Sequence, residues 1–150
     1  MSLKEQLRSD LTDAMRAKDD VRRATLRMAL TAVTNEEVSG KQARELTDDE
    51  VLKVLTRELK KRNEASTAFF DAGQTERAEA ELAEARVIES YLPAQLSDEE
   101  ISEIVSAVIS DQGASGPAAM GQVMKEVQPK IAGRAEGGRV AGEVKRQLSS

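Results

Sequence analysis

A helix-start signal occurs twice in this 150-residue chain, each time directly before apolar residues at helical spacing. The two signals are "TDDE" from Thr47 to Glu50 and "SDEE" from Ser97 to Glu100. In such a capping box the hydroxyl accepts a hydrogen bond from the backbone N–H of the glutamate, whose carboxylate accepts one in return. Both signals therefore predict the first turn of an amphipathic helix.

Apolar residues three and four positions apart mark further helices along the chain. One stripe contains Leu3, Leu7, Leu11, Ala14 and Met15. The segment from Val21 carries apolar residues on more than one face, including Met28, which predicts a central position in the fold. No stretch shows convincing period-two alternation, so no sheet is expected. The predicted fold is all-α, with an N-terminal four-helix part followed by a small C-terminal three-helix part.

Proline sets the predicted domain boundary. Pro93 disfavours helical geometry in the residue before it, so the fourth helix is expected to end near Leu92. We therefore predict an N-terminal helical bundle over 1–92 and a small helical domain over 93–150, hinged near Leu92 to Gln95. The helix that begins at Met120 is expected to break around Pro129.

The composition excludes several kinds of catalysis. The chain has no cysteine and no histidine, which excludes a Ser-His-Asp triad, a Cys-His pair, disulfides and imidazole-ligated metal. We accordingly predict no catalytic residue, no metal site and no cofactor. A chain of this composition is a poor candidate for an autonomous enzyme.

Charge and hydropathy limit the partners and the location. The start "MSLKEQLRSD" lacks the apolar centre of a secretory signal, and no run approaches the roughly 20 apolar residues of a membrane span. These features predict a cytoplasmic protein with no membrane partner. The net charge of −5 is uneven, since residues 1–111 carry 16 Lys/Arg against 24 Asp/Glu, and residues 112–150 carry 6 against 3. One local cationic face near the C-terminus is therefore expected.

The stretch from Met120 to Val140 contains the best candidate binding surface. Its "GRAEGG" segment matches neither a P-loop nor a strand-led dinucleotide loop, so the glycines favour a joint between two short helices. Basic residues around this joint are candidate nucleic-acid contacts. They are Lys125, Lys130, Arg134, Arg139, Lys145 and Arg146.

A second basic stripe lies on the predicted third helix. It consists of Lys53, Arg57, Lys60 and Lys61, with Arg62 adjacent. Such a stripe could track a phosphate backbone, or it could be the solvated face of an ordinary amphipathic helix. Four glutamates on the fourth helix are expected to form a solvated face, because carboxylate metal sites in bundles also use histidine. They are Glu76, Glu79, Glu81 and Glu84.

Several segments of the sequence resemble the YqeY family, whose fold recurs as the tail domain of GatB. The segments include "TLRMALTAVTNEE", "YLPAQLSDEEI" and "MGQVMKEVQPKIAGRAEGGRVAGEVKRQL", and the resemblance covers essentially the whole chain. In the family pattern Asp often precedes the Met-Gly and follows the Arg-Ala. This chain has Ala119 and Glu136 at those positions.

The resemblance implies a function without catalysis by this chain alone. The GatB tail helps to hold tRNA in a glutamine-dependent transamidase, whose chemistry lies in another part of that protein. A non-catalytic tRNA-interaction or transamidase-accessory module is therefore expected, with carbon-nitrogen ligase activity only alongside a partner complex. The alternative is a protein-protein adaptor without RNA binding, which the acidic residues 1–111 favour. An independent amidotransferase is a third hypothesis, for which the sequence offers no nucleophile.

Overall fold

The structure is a computed structural model that describes residues 1–150. It contains seven α-helices, one short 3-10 helix at Pro117–Ala119 and no strand, so the predicted all-α fold with four helices followed by three is confirmed. The α-helices are α1 Leu3–Arg16, α2 Asp20–Glu37, α3 Asp48–Asp71, α4 Thr75–Glu89, α5 Asp98–Gln112, α6 Met120–Ile131 and α7 Gly137–Leu148.

The chain forms two compact units, an N-terminal unit over Met1–Leu92 and a C-terminal unit over Pro93–Ser150. In the N-terminal unit α1 packs on α2, and α2 packs on the hairpin formed by α3 and α4. In the C-terminal unit α5, α6 and α7 pack on one another. Each unit has its own core of buried aliphatic side chains, represented by Leu26 and Leu55 in the first and by Val123 and Ile131 in the second.

Both predicted capping boxes are present. The Thr47 hydroxyl accepts a hydrogen bond from the Glu50 N–H at 3.3 Å, and the Ser97 hydroxyl accepts one from the Glu100 N–H at 3.1 Å. These bonds satisfy amide groups that have no partner within the helix. The sequence signal was sufficient here because a capping box depends only on residues within one turn.

Pro129 does not break α6, contrary to the sequence prediction, because the helix continues to Ile131. A proline removes the hydrogen bond to the carbonyl four residues earlier, here that of Lys125, and its ring crowds that carbonyl, yet α6 extends two residues beyond Pro129. The helix ends instead at Ala132 and Gly133, whose φ angles are 49° and 76°.

The prediction that α2 lies centrally is confirmed, since α2 packs on α1, α3 and α4, but several apolar residues near it are exposed. Val21 and Met28 are 46% and 50% exposed, and Met15 of the first stripe is 48% exposed. The buried residues of α2 include Leu26 and Val33. The apolar residues on the remaining surface of α2 consequently face solvent.

Candidate nucleic-acid interface

Six candidate basic residues lie on α6, on α7 and on the joint between them, and their environments differ. The three arginines bond to other groups of the C-terminal unit, whereas the three lysines are exposed and have no ion-pair partner within the chain. The two groups therefore have different availability for an external phosphate.

Arg134 caps the C-terminal end of α6. Its Nε donates to the Ile131 carbonyl at 3.1 Å, and a terminal guanidinium nitrogen donates to the Lys130 carbonyl at 2.7 Å. Its own carbonyl accepts a hydrogen bond from the Leu96 N–H at 2.8 Å. Cations near a helix C-terminus are stabilised by the last carbonyl groups, which carry partial negative charge. The Arg134 guanidinium therefore stabilises the joint between α6 and α7.

Arg139 links the start of α7 to the start of α5 and to the residues just before it. Its guanidinium donates to the Leu96 carbonyl at 3.1 Å and to the Asp98 carboxylate at 2.7 Å. Arg134 and Arg139 together thus bind both backbone polar groups of Leu96.

The N-terminus of α7 is already occupied by a carboxylate of the chain. Glu136 is the N-cap, and its side chain accepts hydrogen bonds from the Gly138 and Arg139 N–H groups at 2.8 and 3.2 Å. A Cβ atom at Gly138 would lie 3.0 Å from both carboxylate oxygens. The glycine at this position therefore makes room for the internal cap, which fits the prediction that "GRAEGG" forms a joint.

Arg146 is paired with Glu143 on the same face of α7. The Arg146 Nε lies 3.1 Å from each Glu143 oxygen, and Gln147 donates to Glu143 at 2.8 Å. Hydrogen bonds from Arg146, and secondarily from Gln147, lower the pKa of the Glu143 carboxyl to about 2. The stabilisation that this carboxylate contributes is present above its ordinary pKa of 4.5 and is lost as the pH falls toward 2.

Replacing Arg146 by alanine is expected to raise the pKa of Glu143 toward 4.5, because its principal hydrogen-bond donor is removed. Carboxyl-detected NMR titration measures this change directly. Lys145→Ala is the matched control, since it removes a neighbouring positive charge that is not bonded to Glu143. Equal titration midpoints for Glu143 in the two variants would refute the assignment.

Lys125, Lys130 and Lys145 are the three candidate cations that remain exposed without an internal partner. Lys125 and Lys130 are five residues apart on α6 and therefore point about 140° apart around its axis. The three lysines consequently do not form a continuous stripe along one helix face.

The net charge of the whole C-terminal unit differs from that of residues 112–150, which carry 6 Lys/Arg against 3 Asp/Glu. Residues 93–150 carry 6 Lys/Arg against 8 Asp/Glu, and residues 1–92 carry 16 against 19. The net charges are −2 and −3, because acidic residues of α5, such as Asp98 and Glu103, belong to the same unit as the basic segment. Any attraction for phosphate must therefore arise locally.

The second candidate stripe, on α3, is largely paired. Arg57 lies 3.2 Å from Glu36, Lys60 lies 3.9 Å from Glu64, and Lys61 lies 3.2 Å from Glu58. Lys53 is exposed and has no ion-pair partner within the chain. Most of this stripe is thus part of the surface charge network of the N-terminal unit.

Arg62, by contrast, is buried and only 4% exposed. It donates to the Glu58 carbonyl and carboxylate at 3.1 and 3.3 Å, and its Nε lies 3.7 Å from the Glu84 carboxylate. Burial raises the pKa of Glu84, and the charge of Arg62 opposes that shift. Sequence reasoning placed Arg62 beside a solvated stripe and Glu84 on a solvated face. The sequence signal that could have indicated the burial of Arg62 was its position three residues after the apolar Leu59, on the same side of the helix.

Tyr91 forms another polar cluster that the sequence did not indicate. Its hydroxyl donates to the Asp10 carboxylate at 2.5 Å and accepts from Arg22 at 3.0 Å. The Arg22 guanidinium also lies 5.9 Å from the centre of the tyrosine ring. Burial and the hydrogen bond to Asp10 raise the pKa of the phenol. The cluster therefore joins α1 and α2 to the chain just beyond α4.

No group of three or more Asp, Glu, His or Cys side chains is arranged to hold a metal ion. None of the helices combines the length and the apolar composition needed to cross a membrane.

The two helical units define an all-α protein. Comparison with known families identifies its class. A family described as "Yqey-like protein" matches residues 4–148. The chain therefore belongs to the YqeY family.

Curated relatives come from three yeasts and share the name "Altered inheritance of mitochondria protein 41, mitochondrial". The protein of Clavispora lusitaniae is 28% identical over 134 residues, which cover 87% of this chain and 77% of the relative. That of Lachancea thermotolerans is 30% identical over 74% of this chain and 60% of the relative. That of Kluyveromyces lactis is 28% identical over 83% and 66%, respectively. The chain thus matches only part of each relative's length.

The names of these relatives contradict the cytoplasmic location predicted from the sequence, because they are mitochondrial proteins. The prediction was wrong in its premise. Tests for a secretory signal and for a membrane span do not distinguish the cytoplasm from the interior of a mitochondrion.

Proposed function

We propose that the protein is a non-catalytic accessory module that contacts tRNA phosphates through Lys125, Lys130 and Lys145. The observation that carries the proposal is that these three ammonium groups are exposed and lack an ion-pair partner in the chain. The resemblance of the family fold to the GatB tail supports tRNA as the nucleic acid. Arg134 and Arg139 serve the joint and are not assigned to RNA.

The chemistry of these lysines favours contact with the RNA backbone over reading of its sequence. An ammonium group acts as a point charge toward phosphate, and phosphate contacts carry no direct sequence information. The C-terminal unit has no aromatic side chain on which bases could stack. The chain has no histidine and no cysteine to act as a catalytic base or nucleophile. We therefore expect any carbon-nitrogen ligase activity with glutamine as donor to come from a partner such as a transamidase complex.

Reversal of the three lysines to glutamate is expected to weaken tRNA binding at least about tenfold at low salt, because phosphate contacts become repulsions. Three contacts predict a slope of log K against log salt of about −2 to −3, and the variant should show a flatter slope. Fluorescence anisotropy with labelled tRNA at two or more salt concentrations measures both quantities.

The matched control reverses Lys53, Lys60 and Lys61, which gives the same change in charge on the N-terminal unit. We expect this control to retain most of the wild-type affinity. If both triple variants lose affinity equally, the attraction is diffuse and the assigned lysines are not a site. Wild-type affinity in the first variant, or no binding by the unmodified protein, would reject the tRNA proposal.

A protein-protein adaptor is the second candidate function, and exposed apolar side chains favour it. Met15, Val21 and Met28 are each close to half exposed, whereas large apolar side chains are more often buried. Affinity purification from native cells separates the two functions when both RNA and protein are identified. Recovery of tRNA supports the first, and recovery of a protein complex without RNA supports the second.

A further inference from the structure

Arg62 has hydrogen-bond donors that the N-terminal unit leaves without a good acceptor. The residue is 4% exposed, and its two hydrogen bonds to oxygen, to the carbonyl and the carboxylate of Glu58, both come from Nη1. Its Nε is buried and has no hydrogen-bond partner, since the carboxylate of Glu84 lies 3.7 Å away. A buried donor without an acceptor lowers the stability of the folded state. One more oxygen acceptor would therefore stabilise the buried guanidinium.

Met28 places its sulfur against the second terminal nitrogen of this guanidinium. The Arg62 Nη2 lies 3.5 Å from the Met28 Sδ, which is its acceptor in the structure. A thioether sulfur is a weak acceptor, so this contact satisfies the donor poorly. Met28 is 50% exposed on α2. A small oxidant in solution can therefore reach a side chain whose sulfur contacts a buried cation.

We propose that Met28 is an oxidation site whose sulfoxide oxygen accepts a hydrogen bond from Arg62, so that the oxidised N-terminal unit is more stable than the reduced one. The oxidant is a hydroperoxide. With hydrogen peroxide, the sulfur lone pair attacks one peroxide oxygen, and an S–O bond forms as the O–O bond breaks. The proton of the transferred oxygen passes to the departing hydroxide to give water, so the sulfur loses two electrons and the peroxide gains two. Methionine sulfoxide reductases reverse this modification.

The sign of the effect is the reverse of the usual one, because oxidation makes a methionine polar and commonly disrupts the packing around it. Half of the Met28 surface is already in water, so the added oxygen loses little hydration. The flexible side chain can also move to make room for the oxygen. A hydrogen bond from the charged Arg62 to that oxygen is stronger than one between neutral groups. The gain at Arg62 therefore exceeds the cost at Met28.

Met15 provides a matched control for Met28. It is 48% exposed, and its sulfur accepts no hydrogen bond. The Met15→Leu protein keeps Met28, the Met28→Leu protein keeps Met15, and every other methionine is common to both. Each full-length variant is treated with hydrogen peroxide under the same conditions, and peptide mass spectrometry measures the conversion of the retained methionine.

Hydrogen exchange of the α3 amides, read by mass spectrometry, compares the stability of the unit before and after oxidation. In the Met15→Leu protein, the slowest of these amides should exchange at least about fivefold more slowly after oxidation, because a hydrogen bond to a charged group is gained. In the Met28→Leu protein, oxidation should leave the exchange unchanged or make it faster. Adding Arg62→Leu to the Met15→Leu protein should abolish the slowing, since the donor is removed.

Met28→Gln tests the same hydrogen bond without an oxidant, and it also serves if the Arg62→Leu variant does not fold. The glutamine amide oxygen is an uncharged acceptor, as a sulfoxide oxygen is, whereas leucine offers no acceptor. The α3 amides should therefore exchange more slowly in Met28→Gln than in Met28→Leu.

Four results would overturn the inference. They are a Met28 that stays reduced under the treatment that converts Met15, unchanged or faster α3 exchange after oxidation of Met28, equal slowing after oxidation of Met15, and slowing that persists without Arg62. Exchange in Met28→Gln as fast as in Met28→Leu would overturn it as well.

Discussion

Replacement of Arg62 by alanine is expected to lower the free energy of unfolding of the N-terminal unit by about 3 kcal/mol. Arg62 is 4% exposed and lies within 3.7 Å of carboxylates from two helices, Glu58 on its own helix and Glu84 on α4. Removing the guanidinium leaves the 8% exposed Glu58 without its buried cation. Urea denaturation followed by far-UV circular dichroism measures the loss.

Arg57→Ala is the control for Arg62→Ala because it removes an arginine that is also ion-paired but lies at the surface. The Arg57 side chain is 59% exposed in its pair with Glu36, and such pairs contribute about 0–1 kcal/mol. If the two variants lose equal stability, the burial of Arg62 has no energetic consequence and the expectation fails.

Replacement of Ile131 by alanine is expected to unfold much of the C-terminal unit while α1 to α4 stay folded. We propose that residues 1–92 and 93–150 are domains that fold independently. Ile131 is 1% exposed, and truncating such a side chain costs about 2–5 kcal/mol. The free energy of unfolding of so small a unit is expected to be only a few kcal/mol, so a loss of this size is enough to unfold it. Hydrogen exchange read by mass spectrometry reports each helix separately.

Leu26→Ala provides the reciprocal control, since Leu26 is 1% exposed in the core of the N-terminal unit. It should reduce protection in α1 to α4 and leave α5 to α7 protected. Loss of protection throughout the chain in either variant would show that the two units unfold as one cooperative body, and the domain proposal would be wrong.

The helices could be predicted because their signals are local. Thr47 and Ser97 with their glutamates set two helix starts, and Gly113, with a φ of 62°, ends α5. Apolar spacing identified most of each core for the same reason. Met15 was an exception, since helical spacing alone cannot tell which edge of an apolar stripe a neighbouring helix covers.

The environments of the charged residues could not be predicted in the same way. Whether Arg139 faces solvent or Asp98 depends on a contact between residues 41 positions apart. Arg62 likewise owes its burial to α2 and α4, which lie elsewhere in the sequence. A basic residue on a helix thus specifies a charge, while its availability to a ligand depends on tertiary contacts.

The position of Tyr91 has a consequence for spectroscopy. The chain has one tyrosine, two phenylalanines and no tryptophan, and all three aromatic residues lie in the N-terminal unit. Near-UV absorbance and intrinsic emission therefore report on that unit alone. Because the phenol donates to the Asp10 carboxylate, which quenches tyrosine emission, loss of the native contact should brighten the signal. The C-terminal unit can unfold without changing either optical property directly.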